Sequence, residues 1–432
     1  MAIVKGKLLR GSLAALLMLA GAAAHAQLGD VPIPDTVTPS VPLPGVLKPG
    51  GELVPDVNGA AGRGLKLARA RLGRIELLAR DHRAQLDRDP AGELVVRAEV
   101  VAIDITQAAL KLALDQHFLL KRTQELAELG IRISVLQTPE GWTARRGLKE
   151  LRKLDPEGTY DYNHIYLDGG AAPAAPAVAS TAAARGKGRV GLIDGGIDGG
   201  HQVFQDLRLH RFGCEGAIVP DTHGTAVAAI LANNAAVQEI YAADVYCAAA
   251  TGGAIENVAA ALAWLAREQV GVINISLVGP RNALLERVVN VLVARGFLIV
   301  AAVGNDGPSA PPLYPASYPG VVGVTAVDAD HRVLVEACRG EQVDFAARGA
   351  DMKAATQAPD VYGNVRGTSF AAPIVAALLV EDVSAPDAAA RERALAKWTS
   401  AAHDLGKRGR DDIYGAGELG APADTVAGQP NK

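Results

Sequence analysis

The chain has 432 residues, a length typical of two or three domains, and its charges nearly balance at a formal net charge of −4. It carries no stripe of basic residues, which argues against nucleic acid as a partner. Aromatic residues make up 4% of the sequence, whereas 47 residues are glycine. This composition favours closely packed α/β layers over an aromatic-rich binding surface.

Residues 1–26 have the three parts of a signal peptide. The positively charged start is formed by Lys5, Lys7 and Arg10. A short apolar run over 11–24 follows, and Ala24 and Ala26 supply the two small residues that a signal peptidase reads. A membrane anchor is the alternative, but the run is well short of the ~20 residues that a bilayer requires. We therefore expect cleavage before Gln27, export to the periplasm or the medium, and no membrane span in the mature form.

The next two segments offer little material for a core. Residues 27–60 are rich in Pro, Gly and Val, which is typical of an extended linker. An Arg-rich helical stretch follows over 61–85, with apolar residues at helical spacing. These are Leu65, Ala68, Leu72 and Ile75. Because one of the four is alanine, the stripe is weak, and the sequence leaves open whether it packs on another element or stays in solvent.

The pattern between 93 and 168 predicts a compact α+β unit, so that 61–168 forms one N-terminal region. Strand, helix, strand, strand, helix and strand follow one another, which is the order of a ferredoxin-like fold. The clearest elements are a strand over 94–103, a helix capped by Thr106, a strand over 131–137, a helix over 143–154 and a strand around 163–167. The Ala- and Pro-rich segment 169–188 cannot form a core and is typical of a flexible, cleavable tether.

From 189 to 420 apolar strands alternate with helices, which predicts a parallel sheet covered by helices on both faces; 421–432 is a tail. Four polar residues fall at strand ends or helix starts in this region. They are Asp194 after RVGLI, His223 before GTAVAAIL, Asn305 after FLIVAAVG, and Ser369 in NVRGTSFAAPIVAALLV. In open parallel sheets ligands bind beyond the carboxyl ends of the strands, so these side chains can converge.

Each of the four residues also has an ordinary interpretation. Pro373 is tolerated only near a helix start, which places that start at about Thr368 to Ser369, and a serine there could simply be an N-cap. Asp194 and Asn305 could be turn residues, and His223 could bond to the backbone of its helix. The glycines around Asp194 contain no G-x-G-x-x-G, so they are not a dinucleotide fingerprint. The joint occurrence of the four favours a shared function.

Five segments of this region resemble, in order, the motifs of the subtilisin-like serine proteases (subtilases). They are VGLIDGGID, HGTAVAAIL, VINISLVGP, AAVGNDGP and GTSFAAPIVAALL. The resemblance implies a hydrolase that cuts peptide bonds with Asp194, His223 and Ser369 in the family's chain order. Ser369 would be the nucleophile, His223 its base, and Asp194 the group that orients the imidazole. Asn305 and the backbone N–H of Ser369 would form the oxyanion hole.

The resemblance also indicates where a substrate lies. An extended peptide would pair with the edge formed by Ser276, Leu277, Val278 and Gly279, next to Val303 and Gly304. Val278 and Val303 stand where the family usually has Gly and Ala, so we expect a preference for small residues before the scissile bond (position P1). Gly195 stands where the family usually has Ser or Thr, which we expect to loosen Asp194 slightly.

The cysteines and the loops indicate no metal or cofactor, since neither C-x-x-C nor H-E-x-x-H occurs. Cys214 and Cys247 lie on consecutive predicted strands, which are often neighbours in this fold, so we predict a disulfide between them and a free Cys338. Three buried thiols are the alternative. The connection after the helix of His223 leaves no room for the calcium loop that many subtilases carry.

The N-terminal region resembles subtilase prodomains in its position and in the order of its elements. It would then template folding, occupy the cleft with its C-terminal end, and be cut off within 169–188, so that the chain would be a self-processing zymogen. Two alternatives remain. One is a catalytically silent binding or chaperone protein on the same scaffold, which the complete set of four residues argues against. The other is an enzyme that keeps its N-terminal region as a permanent regulator and acts on one partner.

Overall fold

The structure is a computed structural model that describes residues 72–168, 186–249, 251–358 and 361–420 and two short strands before them. The two strands, β1 (Gly45–Leu47) and β2 (Leu53–Pro55), pair antiparallel in a compact unit of their own. All other described residues belong to a second unit. The predicted signal peptide, most of the predicted tether and the tail lie outside the described residues.

The second unit contains an eight-stranded, wholly parallel sheet. Its strands are β8 (Gly188–Asp194), β9 (Arg208–Phe212), β10 (Val237–Asp244), β12 (Val272–Ile275), β14 (Leu298–Ala302), β15 (Val322–Val327), β16 (Phe345–Arg348) and β19 (Glu418–Leu419). Their order is β19-β16-β15-β14-β12-β8-β10-β9. Short strands outside it are β11 (Gly253–Ala254), β13 (Leu277–Val278), β17 (Met352–Ala355) and β18 (Tyr362–Val365).

Helices cover both faces of this sheet. They are α4 (Thr222–Ala232), α5 (Ile255–Arg267), α6 (Ala283–Ala294), α7 (Thr368–Leu379) and α8 (Ala388–Ala401). Side chains alternate along a strand, so Leu192 packs with α4 and α7 while Ile193 packs with α5 and α6. The predicted α/β class, with a parallel sheet between two layers of helices, is confirmed.

An antiparallel sheet with its own helices precedes the parallel sheet in the chain. Its elements are β3 (Leu86–Arg88), β4 (Leu94–Ile103), α2 (Gln107–Asp115), β5 (Leu119–Leu126), β6 (Ile131–Gln137), α3 (Ala144–Leu154) and β7 (Thr159–Asp168). Thr106 caps α2 by accepting a hydrogen bond from the backbone N–H of Ala109 at 3.1 Å. The predicted α+β order is therefore present, with β3 as one additional strand that pairs with β4.

The antiparallel sheet packs its second face against helices α5 and α6. Val101 and Ile133 join the hydrophobic cluster of α5 and α6, whereas Val100 and Leu136 face α2 and α3. Polar contacts surround this apolar layer: Asp161 accepts a 2.7 Å hydrogen bond from the backbone N–H of Ala283, the first residue of α6. Such a carboxylate satisfies a free donor at the positive end of the helix.

A further helix, α1 (72–81), stands in front of β3. Of the apolar stripe that the sequence left open, Ile75 is buried at 2% exposure and Leu72 is 58% exposed, while Leu65 and Ala68 lie outside the described residues. Leu78 and Ala79 pack beside Ile75, whereas Leu72 stands outside this cluster. No helix in the described part of the chain is long and apolar enough to cross a membrane.

Candidate active site

The four polar residues singled out from the sequence lie along one rim of the parallel sheet. Asp194 is the last residue of β8, and β8 lies beside β12, which lies beside β14. Asn305 follows β14 by three residues, while His223 and Ser369 are each the second residue of a helix, α4 and α7. Because all these strands run in the same direction, their carboxyl ends meet at a single edge.

Asp194 and His223 form a buried pair. The His223 Nδ1 atom is 2.9 Å from Oδ1 and 3.1 Å from Oδ2 of Asp194, and the side chains are 4% and 0% exposed. Asp194 Oδ1 also accepts a 2.7 Å hydrogen bond from the backbone N–H of Gly195. Asp221 caps α4 through the backbone N–H of Gly224 and so fixes where the helix of His223 begins. The imidazole is thereby held with Nε2 as its free nitrogen.

Ser369 is not the N-cap of its helix. That position belongs to Gly367, whose φ of 140° is a conformation that L residues rarely adopt. The Ser369 hydroxyl donates instead to the backbone carbonyl of Ser276 at 3.2 Å, and the Ser276 hydroxyl donates to the backbone carbonyl of Ser369 at 3.0 Å. The phenyl ring of Phe370 lies 5.2 Å from the imidazole of His223, so the start of α7 adjoins the histidine.

Asn305 is fixed at the same helix start by its carbonyl oxygen. Its Oδ1 accepts a 3.0 Å hydrogen bond from the backbone N–H of Thr368, and the Thr368 hydroxyl accepts from the backbone N–H of Gly304 at 3.2 Å. The amide nitrogen Nδ2 of Asn305 is buried, with no hydrogen-bond partner among the described residues. This leaves a preorganised donor beside the serine, which is what a developing oxyanion requires.

Comparison with known proteins decides the family. The subtilase family (Peptidase S8) matches residues 187–417. The chain belongs to the subtilase family. Subtilisin BL of Lederbergia lenta is 34% identical over 215 residues, which cover 47% of this chain and 77% of that protein. Subtilisin E of Bacillus subtilis (strain 168) is 31% identical over 261 residues, covering 54% of this chain and 66% of that protein.

The fold of this subtilase is also similar to that of fervidolysin from Fervidobacterium pennivorans, a keratinolytic enzyme related to subtilisin. The TM-score is 0.62 at 17% identity, over 77% of this chain and 61% of fervidolysin. At this identity the likeness concerns the fold alone. Membership of the family makes the chain a serine endopeptidase, a hydrolase whose substrates are peptides or proteins.

The electrostatics of the subtilase site favour a protonated histidine in the full-length chain. Burial acts to lower the pKa of His223, but the Asp194 carboxylate outweighs it and raises that pKa to about 9. Asp168 and Asp221 add smaller effects in the same direction. Asp168 is the last residue of β7, so part of this effect comes from the N-terminal region.

The end of β7 fills the edge that the sequence predicted to bind substrate. It lies between β11 and β13 and runs antiparallel to both. On one side, Ile165 and Tyr166 pair with Ala254 and Gly253. On the other side, Leu167 and Asp168 pair with Val278 and Leu277. The end of β7 thus pairs with two strands of the catalytic domain, as a bound peptide in the extended conformation would.

A pocket of the catalytic domain buries Tyr166 completely. Its hydroxyl donates to the backbone carbonyl of Pro280 at 2.6 Å. Gly279 leaves the necessary space, because a Cβ atom there would lie 2.7 Å from the tyrosine ring. Burial raises the pKa of Tyr166 well above its ordinary value, so the phenol remains a hydrogen-bond donor. Gly279, expected to contact substrate, here contacts the chain's own β7.

The other predicted substrate residues occupy different surroundings. Ser276 is fully buried with its hydroxyl on the backbone of Ser369, so its side chain positions α7. Val303 is fully buried in the cluster of α5 and α6, and Gly304 has a φ of 103° next to it. Val278 is at the groove, opposite Leu167. The small-residue preference at P1 stays a prediction.

Two features of the surrounding loops bear on sequence predictions. The Cys214–Cys247 disulfide is present and joins the segments that follow the neighbouring strands β9 and β10, while Cys338 is a buried thiol, so this prediction is confirmed. At Gly195 a Cβ atom would lie 2.6 Å from the side chain of Asp221. The glycine therefore makes room for the residue that caps α4, a reason that the sequence alone did not give.

Sequence reasoning missed several residues that support the site. Asn274 is fully buried on β12 and donates to the Ser276 hydroxyl at 2.9 Å, which completes a chain of hydrogen bonds to Ser369. A signal was present: Asn274 and Ser276 are two residues apart in the otherwise apolar stretch VGVINISL, so in an extended chain their side chains share a face. Asp221 and Thr368 accept hydrogen bonds from the backbone N–H groups of Gly224 and Gly304; Asp221 stands directly before its helix, which is an N-cap signal that the sequence reasoning did not use.

Proposed function

We propose that this subtilase is an exported serine endopeptidase made as a self-processing zymogen, with Asp194, His223 and Ser369 as its triad and Asn305 in its oxyanion hole. The observation that carries the proposal is the placement of β7. Its end lies in the groove beside the serine, between two strands of the catalytic domain. An N-terminal region held in this way is at once the first substrate and the first inhibitor.

The reaction begins with the serine. Its hydroxyl turns from the Ser276 carbonyl to the free Nε2 atom of His223, which removes the proton as Oγ attacks the peptide carbonyl. Asp194 stabilises the imidazolium that forms. The oxyanion of the tetrahedral intermediate accepts hydrogen bonds from Asn305 Nδ2 and the backbone N–H of Ser369, at the positive end of α7.

The intermediate then collapses in the usual order of acyl transfer. The C–N bond breaks, the imidazolium gives its proton to the departing amine, and the acyl group stays on Ser369 Oγ. A water molecule, deprotonated by His223, attacks the ester. The imidazolium then returns the proton to Ser369 Oγ as the C–O bond breaks, which releases the acid product and the free serine. The triad thus returns to its starting protonation state after each turnover.

The register of β7 indicates where the first cut falls. Val278 lies opposite Leu167 and Leu277 opposite Asp168, so a chain that continues in the same register meets Ser276 next. The carbonyl of Ser276 holds the nucleophilic hydroxyl. We therefore expect the cut within two residues after Asp168, where the sequence is Gly169-Gly170. A glycine before the scissile bond agrees with the small P1 residue expected from Val278.

N-terminal sequencing of the wild-type protein beside Ser369→Ala tests this proposal. The wild type is expected to yield a new N-terminus at Gly170 or close to it, and Ser369→Ala is expected to retain the N-terminal region. A fluorophosphonate probe provides an independent readout, with labelling that disappears in Ser369→Ala. An unlabelled wild type would instead support a catalytically silent scaffold.

Export follows from residues 1–26, and its test is separate. A chain that is cut before Gln27 and recovered outside the cytoplasm supports it.

We expect neither a metal nor another cofactor in the reaction, because the nucleophile, base and oxyanion donors are all side-chain or backbone groups of the protein. Activity that persists after dialysis against a chelator is the corresponding measurement.

A further inference from the structure

Helix α1 precedes the ferredoxin-like order of strands and helices, and the proposed function assigns it no part. It nevertheless lies against the end of β7, at the point where that strand occupies the groove. Leu78 and Ala79 of the helix pack at the edge of this contact, and two other residues lie at its centre. Arg74 reaches Asp168, and Ile75 is buried beside Ile165.

The contact of Arg74 is made by both terminal nitrogens of its guanidinium group. Nη1 and Nη2 each lie 3.2 Å from Oδ1 of Asp168, Nη2 lies 3.1 Å from Oδ2, and Nη1 also donates to the Asp168 backbone carbonyl at 3.4 Å. Paired contacts of this kind fix the orientation of a carboxylate as well as attracting it. Asp168 is the last described residue before the predicted cut.

The apolar contact of Ile75 reaches β7 at Ile165, three residues before Asp168. Ile75 forms a small buried cluster with Leu86, Leu94 and Ile165, and Leu167 and Ala254 pack against it. Ala254 is on β11, the catalytic-domain strand that pairs with β7. The groove-bound end of β7 therefore has the catalytic domain at its two edges and α1 over its outer face.

From these contacts we propose that α1 is an inhibitory element in its own right. Through Arg74 and Ile75 it keeps the last residues of β7 extended and seated in the groove, and it thereby sets how long the N-terminal region covers the active site. The inhibitory role of α1 rests on the proposed function, since the groove must be the substrate site. Without α1 the strand end would have to be ordered at the moment of binding, which weakens the bound state.

Hydrogen exchange on the full chain carrying Ser369→Ala tests the inference without requiring any cleavage. The readout is the exchange of backbone amides in 165–168 and in their partners 253–254 and 277–278. Adding Arg74→Ala is expected to speed this exchange about three- to tenfold, as for the loss of a partly exposed ion pair with good geometry. Adding Ile75→Ala is expected to speed it at least about tenfold.

A matched control lies one helix turn and a half further along α1. Arg80 pairs with Asp81 in an exposed contact, and among the described residues it makes no hydrogen bond or ion pair with β7, so Arg80→Ala should leave the exchange unchanged. The effect should also be local, with amides of α7 unaffected. Asp168→Asn combined with Arg74→Ala should add little to either change alone, because both remove the same pair.

The result that overturns the inference is clear in the same experiment. If Arg74→Ala and Ile75→Ala both leave exchange at 165–168 within twofold of the parent, α1 does not hold the strand. The proposed function is tested separately, by fluorophosphonate labelling of the wild type. A chain without labelling but with faster exchange in Arg74→Ala would keep the role of α1 in covering the groove and reject the protease mechanism.

Discussion

Ser369 donates its hydroxyl to the backbone carbonyl of Ser276 at 3.2 Å, and Ser276 returns a 3.0 Å hydrogen bond to the backbone carbonyl of Ser369. This reciprocal link joins the end of β12 to the start of α7 across 93 positions of sequence. It fixes the orientation of the Ser369 hydroxyl, while Nε2 of His223 has no partner in the described part of the chain. The mechanism that we propose therefore needs one rotation of the serine side chain.

The link predicts an effect of Ser276→Ala on both stability and rate. The hydroxyl bridges the amide of Asn274 and the carbonyl of Ser369, all of them buried. Removing it should lower the free energy of unfolding by about 1–3 kcal/mol and reduce kcat more than it raises KM. Urea denaturation in a Ser369→Ala background and steady-state kinetics measure the two effects. Ser317→Ala, which loses a hydrogen bond to the Leu313 carbonyl, is the control; equal kcat losses in both variants would contradict us.

Asn305→Ala should reduce kcat by about 10²–10³-fold with KM changed far less. The reason is that its Nδ2 has no ground-state partner among the described residues, so its hydrogen bond is made only when the oxyanion forms. Peptide hydrolysis under saturating substrate measures the loss. Asn364→Ala, at an exposed position on β18, should retain full activity. If kcat falls less than tenfold in Asn305→Ala, Asn305 is not part of the oxyanion hole.

The pKa of His223 predicts the pH dependence of the first cut. Burial acts to lower this pKa, Asp194 raises it, and the net value is about 9 in the full-length chain. The base must be neutral, so the rate of self-cutting should rise with pH through about 9. Because the folded-state pKa exceeds the ordinary value of 6.5, protonation stabilises the fold below pH 6.5, and this contribution disappears as the pH rises through about 9.

Asp168→Asn should move the midpoint of that pH profile downward, because Asp168 is one of the charges that raise the pKa of His223. The measurement is the concentration-independent rate of cutting between pH 6 and 10, analysed by gel electrophoresis. Asp115→Asn, which alters an exposed carboxylate paired with Lys111, is the control and should leave the midpoint in place. Identical midpoints in the wild type, Asp168→Asn and Asp115→Asn would show that Asp168 does not raise the pKa of His223.

Gly195→Ala should destabilise the protein by about 1–3 kcal/mol, although its methyl group is small. A Cβ atom at this position would lie 2.6 Å from the side chain of Asp221, which caps the helix of His223. Asp221→Gly removes the obstacle and retains an acceptable N-cap, so the double variant should recover part of the loss. Denaturation of all three variants in a Ser369→Ala background gives the comparison. Additive losses in the double variant would contradict this explanation.

Reduction of the Cys214–Cys247 disulfide should lower the free energy of unfolding by about 3–4 kcal/mol. The bond closes a loop with a sequence separation of 33, and the expected loss follows from the chain entropy of such a loop. Denaturation with and without dithiothreitol measures it. The same experiment on Cys338→Ala should show an equal effect of the reductant, since the buried Cys338 thiol takes no part in the bond. No effect of reduction in either protein would contradict the prediction.

Local patterns were enough to predict most of the longer strands and helices, but not the short strands β3, β11 and β19. The strand of Asp194 and the helix start at Ser369 could be read from apolar runs and from Pro373, because these depend on residues a few positions apart. The pairing of Cys214 with Cys247 required only that their strands be adjacent. The weak stripe of α1 was harder, since burial of Ile75 depends on Ile165 and Leu94, far along the chain.

The sequence by itself determined that an acid, an imidazole, an amide and a hydroxyl stand at the ends of parallel strands or the starts of helices, since periodicity and turn chemistry are local. The tertiary structure decided where the serine hydroxyl points, why residue 195 has no side chain, and that Arg74 pairs with Asp168 at the end of β7. Each of these depends on distances of a few ångströms between segments far apart in the chain. Such distances arise only when strand register and helix packing are set for the whole domain.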